Sequence, residues 1–321
     1  MQDTIPIPTI EVNNLTKYYG DFPAVENLSF TVNKGEILGF LGPNAAGKTT
    51  TMRILTGFMP PTSGSVKIAG FDVVDQSLEM RRHIGYLPET VPLYTDMNVT
   101  EYLDFLGQLR GMDKQWRRRR ISDVIGICRL GEYRSSLIGK LSKGFRQRVG
   151  IAQAILHEPE VLIMDEPTIG IDPIQVVETR NLIKGFGGDH TVILSTHILP
   201  EVSMVCERVI IIHEGQVVAM DRPENLSERL KGTERIEVDI RGPFAQVMTA
   251  LRGIPGVQEV TRTDRGDVGI YNLETVSGAD LREQISNLVH ERGWGLLRLQ
   301  PIQMSLEEIF LRLTITESGT A

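Results

Sequence analysis

The chain has 321 residues, 41% hydrophobic and 23% charged. This is the make-up of an ordinary globular protein with room for one large domain and a smaller one, not of a disordered or fibrous chain. A net charge of −7 speaks against a dedicated nucleic-acid binder, whose basic footprint must displace phosphate counterions. Cys128 and Cys206 stand far apart with no C-x-x-C, so neither a disulfide framework nor a zinc site is expected and a reducing compartment fits. The first residues have no basic head or apolar run, which argues against a secretory signal. Apolar runs such as Val209 to Ile212 are far shorter than the ~20 residues of a membrane span.

In chain order, Ile10 to Val12 and Ala24 to Val32 read as strands. Between them, Lys17-Tyr18-Tyr19-Gly20 offers an aromatic that either packs locally or stacks on a nucleotide base. Glu36 to Leu41 reads as a buried strand and Lys48 to Gly57 as a helix. The turn joining them is Gly42, Pro43, Asn44, Ala45, Ala46, Gly47, Lys48, Thr49 and Thr50, which fits G-x-x-x-x-G-K-[ST]. Such a loop turns consecutive backbone N–H groups inward on a polyphosphate, and the positive end of the next helix adds to the field. Lys48 is then expected to reach the β- and γ-phosphates, and the Thr49 hydroxyl to ligate Mg²⁺.

Pro60 to Gly64 reads as a turn, Ser65 to Ala69 as a strand, and Arg81 to Leu87 as a strand ended by Pro88-Glu89. Asn98 and Glu101 form a capping pair for a helix with Val99, Tyr102, Leu103, Leu106 and Leu109 on one face. This opens a helical insert over about residues 95–159. Arg117 to Arg120 within it read as a solvated helix face, the alternative being a contact with anionic lipid or a partner. Ser142 is the natural N-cap of a helix carrying Phe145, Val149, Ala152 and Leu156. Val161 to Met164 is an apolar run ending in Asp165-Glu166-Pro167, and Thr191 to Leu194 ends in Ser195-Thr196-His197. Arg208 to Ile212 and Gln216 to Ala219 form a hairpin. Strands this continuously apolar imply a covered, mainly parallel sheet, whose ligands gather at the carboxyl ends of the strands. Those ends carry Gly42 to Thr49, Asp165, Glu166 and His197.

From about Thr233 the elements read βαββαβ, the split pattern of a ferredoxin-like small domain, and Ser305 and Glu308 cap a last helix. The expected division is a domain over 9–230 and an accessory α+β domain over 233–321.

The P-loop followed by Leu141-Ser142-x-Gly144, about twenty residues before Asp165-Glu166, resembles the nucleotide-binding subunits of ATP-binding cassette (ABC) transporters, over about residues 9–230. The fold class this implies is α/β: a P-loop cassette with a mainly parallel sheet, an antiparallel β subdomain and the helical insert. The resemblance gives Tyr19 the adenine-stacking role, Asp165 the ordering of Mg²⁺, Glu166 the role of general base, and His197 a contact to the γ-phosphate. It implies that Ser142 and Gly144 meet the γ-phosphate of another subunit's ATP. With one P-loop and one such sequence in the chain, a head-to-tail homodimer or a paired second cassette is expected.

Four residues depart from the family's commonest pattern. Ala45 replaces a glycine, at a cost on the order of 1 kcal/mol if the residue has φ > 0. Glu89 stands at a glutamine position, where its carboxylate supplies an oxygen near Mg²⁺, and Lys143 and Phe145 flank Gly144. The ensemble is similar to bacterial multidrug and gliding-motility type export ATPases. That similarity implies a separate integral membrane permease, a groove for one of its cytoplasmic helices near residues 81–98, and a place on the cytoplasmic face of the membrane. A soluble cassette ATPase acting on nucleic acid or the ribosome is the alternative.

Overall fold

The computed structural model of the protein describes residues 8–229, 233–265, 268–276 and 280–302. Contacts divide the chain into two compact units, Met1–Pro223 and Glu224–Ala321.

The first unit opens with strands β1 (Pro8–Tyr19) and β2 (Phe22–Asn33), an antiparallel pair longer at both ends than the apolar alternation suggests. Then come β3 (Ile37–Leu41), α1 (Lys48–Leu55), β4 (Ser63–Ile68) and β5 (Phe71–Asp72). α2 (Ser77–Arg82) and β6 (Ile84–Leu87) follow. Arg81 and Arg82 therefore close a helix and do not begin a strand. Met80 is its buried residue and Arg82 pairs with Glu79 one turn back, so the strand starts only where Ile84 enters the core.

The helical insert holds α3 (Val99–Leu109), α4 (Lys114–Ile127) and α5 (Lys143–Ile155). Asn98 and Glu101 form the capping box. Leu109, expected on the buried face, is 74% exposed. Gly107 is the close-contact point of α3, because a Cβ there would lie 2.4 Å from Arg117 Cδ. The arginine run is not uniformly solvated either. Arg117 Nε donates to Asp104 at 2.7 Å. Arg120 donates to the carbonyls of Leu156 and Ile155, at the negative end of α5, and pairs with Glu158 at 3.0 Å. Arg118 and Arg119 alone keep the exposed position. The run is split because residues three apart on α4 share a face, and that face meets α3 and α5.

After the insert come β7 (Val161–Asp165), α6 (Pro173–Lys184), β8 (Thr191–Thr196), α7 (Leu199–Val205), β9 (Arg208–His213) and β10 (Gln216–Asp221), and α8 (Pro223–Arg229) begins at the boundary and belongs, from Glu224 on, to the second unit. Two sheets result: a four-stranded antiparallel one ordered β2-β1-β4-β5 and a six-stranded one ordered β10-β9-β3-β8-β7-β6. Every pairing in the second is parallel except β10 with β9. β3, β7 and β8 are buried at every residue, the pattern of central strands covered on both faces. Residues of both sheets and α1, among them Leu15, Phe30, Phe40, Met52, Ile163 and Ile193, share one core cluster.

The second unit contains β11 (Thr233–Arg241), α9 (Phe244–Arg252), β12 (Val257–Arg265), β13 (Val268–Val276), α10 (Arg282–Glu291) and β14 (Gly295–Ile302). Its sheet is ordered β12-β13-β11-β14, antiparallel throughout. Val247 and Leu251 of α9 and Ile285 and Val289 of α10 join Val238, Tyr271 and Leu273 in its core. The helix expected to start at Ser305 lies outside the described residues.

Candidate functional site

β3 runs fully buried into the phosphate-type loop, and α1 begins at Lys48. The backbone explains the glycines. At Gly42 a Cβ would lie 2.4 Å from the Ile212 carbonyl oxygen, and at Gly47, the N-cap with φ 101, it would lie 2.5 Å from the Ala24 carbonyl oxygen. The first-turn amides of α1, at Lys48, Thr49 and Thr50, have no partner within the helix and offer donors at its positive end. Ala45 has φ 66, so the condition under which alanine is strained is met. The Ala45→Gly variant is expected to gain about 1 kcal/mol in stability, measured as a raised midpoint in urea unfolding with the slope unchanged.

Lys48 is 6% exposed. Its Nζ donates to the carbonyls of Gly42 at 2.7 Å and Pro43 at 3.1 Å, and lies 3.4 Å from Glu166 Oε1. Asp165 and Glu166, at the carboxyl end of β7, are 1% and 5% exposed. Asp165 Oδ1 accepts the Ser195 hydroxyl, while Oδ2 is buried without a hydrogen-bond partner. Burial pushes the Asp165 carboxyl up from its ordinary value, the Ser195 and Thr49 hydroxyls pull it back, and neighbouring Glu166 raises it again. Glu166 has φ 49, a left-handed conformation pinned by its amide donating to the Ser195 carbonyl at 3.0 Å. Its other carboxylate oxygen meets His197 Nδ1 at 2.9 Å.

These groups border one cavity of about 510 Å³. Pro43, Asn44, Ala45, Gly47, Lys48, Thr49 and Thr50 form one wall, and Tyr19, Glu89, Glu166 and His197 the others. Gly42, Ala46 and Asp165 are buried and are not among its lining residues. Tyr19 is half exposed, its hydroxyl donating to Met59 Sδ at 3.2 Å. Phe22 lines the cavity as well. Sequence reasoning passed over Phe22, although the signal was there: two aromatics bracketing the Gly20-Asp21 turn between paired strands. Glu89 borders both this cavity and a neighbouring one of about 340 Å³ that Lys143 also lines.

Ser142 and Gly144 do not reach the cavity of their own chain. Ser142 caps α5, its oxygen accepting from the Phe145 amide at 3.4 Å. Gly144 is buried, and a Cβ there would collide with the Gln175 side chain.

The donor set fits a magnesium ion carried by a nucleotide. Mg²⁺ takes one or two protein oxygens plus phosphates and waters, and Asp165 Oδ2 is a buried oxygen left over beside the Thr49 hydroxyl. Among the described residues no cluster of three or more His, Cys, Asp or Glu could hold a metal unaided.

A polyphosphate loop, an acidic pair on the adjoining strand and a helical insert between them define a P-loop nucleotide-binding cassette. A family model described as ABC transporter matches residues 25–169. The linearmycin resistance ATP-binding protein LnrL of Bacillus subtilis is 32% identical, over 95% of this chain and 98% of its own. The bacitracin transport ATP-binding protein BcrA of Bacillus licheniformis is 33% identical, over 95% and 96%. A solved ATP-binding subunit of an ABC transporter superposes with a TM-score of 0.64 at 31% identity, covering 70% of this chain and 93% of that one. The chain belongs to the ATP-binding subunits of ABC transporters. These relatives support transport and lend nothing to an action on nucleic acid.

Proposed function

We propose that the chain binds ATP with Mg²⁺ in the 510 Å³ cavity and hydrolyses it to drive a separate membrane permease in the export direction. The observation that carries this reading is the buried Glu166 carboxylate, held between Lys48 and His197 beside the helix-end amides. Lys48 and the loop amides receive the β- and γ-phosphates, and Tyr19 receives the adenine. Thr49 and Asp165 hold Mg²⁺, with Glu89 offering a further oxygen from the cavity wall. When bound, the ion neutralises phosphate charge. Glu166 accepts a proton from the attacking water, and His197 orients that carboxylate and the γ-phosphate.

Ser142 and Gly144 complete the site of a second cassette, the role that the family resemblance implies for them, and they do not line their own chain's cavity. Among the described residues no helix is long and apolar enough to cross a membrane; the family resemblance implies attachment to the membrane through the permease. The export direction rests on the names of the relatives, one of which confers resistance.

The test is the rate of phosphate release from ATP against protein concentration. The specific rate is expected to rise with concentration at the low end. A specific rate independent of concentration down to nanomolar protein would contradict the paired site.

A further inference from the structure

We infer that Ser195 is the positioning residue for the metal-binding carboxylate, holding Asp165 so that its free oxygen faces the nucleotide's ion; this rests on the reading of Asp165 given above. The strand order sets up the contact. β8 lies between β3, which leads into the phosphate loop, and β7, which carries the acidic pair. Ser195 is level with Phe40 on one side and with Asp165 on the other. It is fully buried, and its hydroxyl donates to Asp165 Oδ1. Its carbonyl takes the amide of Glu166 at 3.0 Å, so one residue fixes both members of the acidic pair, the first through its side chain and the second through its backbone.

The side-chain bond matters because a carboxylate is a broad two-fold rotor. With nothing on either oxygen, Asp165 would be free to turn about its last torsion within the buried strand end. With Oδ1 held by Ser195, the remaining oxygen has one place to go. That oxygen, Oδ2, is buried and has no hydrogen-bond partner. A buried anionic oxygen without a donor is costly, and a cation supplies the missing partner. Lys48 Nζ does not supply it, being bound to Gly42 and Pro43 and sitting by Glu166, and the Thr49 hydroxyl beside Asp165 is the other expected ligand of the same ion. Partners that orient a metal ligand typically change metal affinity by roughly 10–100-fold when removed.

The experiment uses the full chain with Mn²⁺ as the paramagnetic probe and a non-hydrolysable ATP analogue. Bound Mn²⁺ is read by electron paramagnetic resonance. The Ser195→Ala variant removes the hydroxyl and leaves the backbone bond to Glu166 in place. Its Mn²⁺ half-saturation is expected to rise about 10-fold or more, while analogue binding in EDTA matches the wild type and so reports a folded phosphate loop. In a double-mutant cycle with Asp165→Asn, the Ser195→Ala change is expected to add little once the carboxylate is gone.

Unchanged Mn²⁺ affinity in Ser195→Ala, or losses that add in full in the double variant, would overturn the inference while leaving the ATPase reading intact. If Asp165→Asn alone leaves Mn²⁺ affinity unchanged, the metal role of Asp165 falls and the inference falls with it.

Discussion

Steady ATP hydrolysis by the Glu166→Gln variant is expected to fall by about 10²–10⁴-fold, the usual contribution of a positioned general base, while ATP binding is retained. Glutamine keeps the volume of the side chain and leaves an oxygen able to accept from His197 Nδ1, which sits 2.9 Å from the present carboxylate. What it loses is the ability to take a proton and the charge 3.4 Å from Lys48 Nζ. The backbone under the residue is unaffected. Its left-handed conformation, φ 49, is anchored by the amide bond to the Ser195 carbonyl and not by the side chain. A strained residue held this firmly is the arrangement expected where preorganisation serves chemistry. Phosphate release under saturating ATP measures the effect, and size-exclusion with ATP present is expected to show an accumulating dimer. Full turnover in the variant would remove Glu166 as the base.

How much of this was readable before the fold was known depends on what each residue answers to. The phosphate loop was legible because close backbone approach admits little else at Gly42 and Gly47. The central strands were legible because burial on both faces leaves continuous apolar runs such as Val161 to Met164. Cross-strand partnership leaves no such mark. Ser195 and Asp165 are thirty residues apart, and a serine at a strand end looks the same whether it faces a carboxylate or water. The arginines of α4 failed for a related reason. A run of like charges fixes composition, not facing, and only the packed helix shows that Arg117 and Arg120 turn inward to Asp104 and the end of α5. Ala45 was legible as a conditional: its identity stood in the sequence, but whether it cost anything depended on a dihedral angle that only the backbone supplies.

Loss of the Lys48 side chain is expected to weaken ATP binding by about 2–5 kcal/mol, or between about 30-fold and about 4000-fold, the range for truncating one partner of a buried charge pair. The surroundings of Lys48 place it at the upper part of that range. At 6% exposure its ammonium has little water to fall back on. Its present partners are two loop carbonyls, Gly42 and Pro43, and a carboxylate 3.4 Å away. In the Lys48→Ala variant Glu166 keeps its contact to His197 Nδ1 but loses the ammonium 3.4 Å away. An incoming triphosphate would then meet an uncompensated buried anion as well as a missing donor. Both changes oppose binding, so the free-energy loss exceeds that of a single phosphate contact.

The arginine variant separates charge from shape. Lys48→Arg restores the positive charge, but its planar fork cannot fill the tight cluster of acceptors that a three-donor ammonium fills, and affinity is expected to recover only in part. Equilibrium titration with a fluorescent ATP analogue and Mg²⁺ reads both variants. Wild-type affinity in Lys48→Ala would mean that the phosphates do not sit at the amino end of α1.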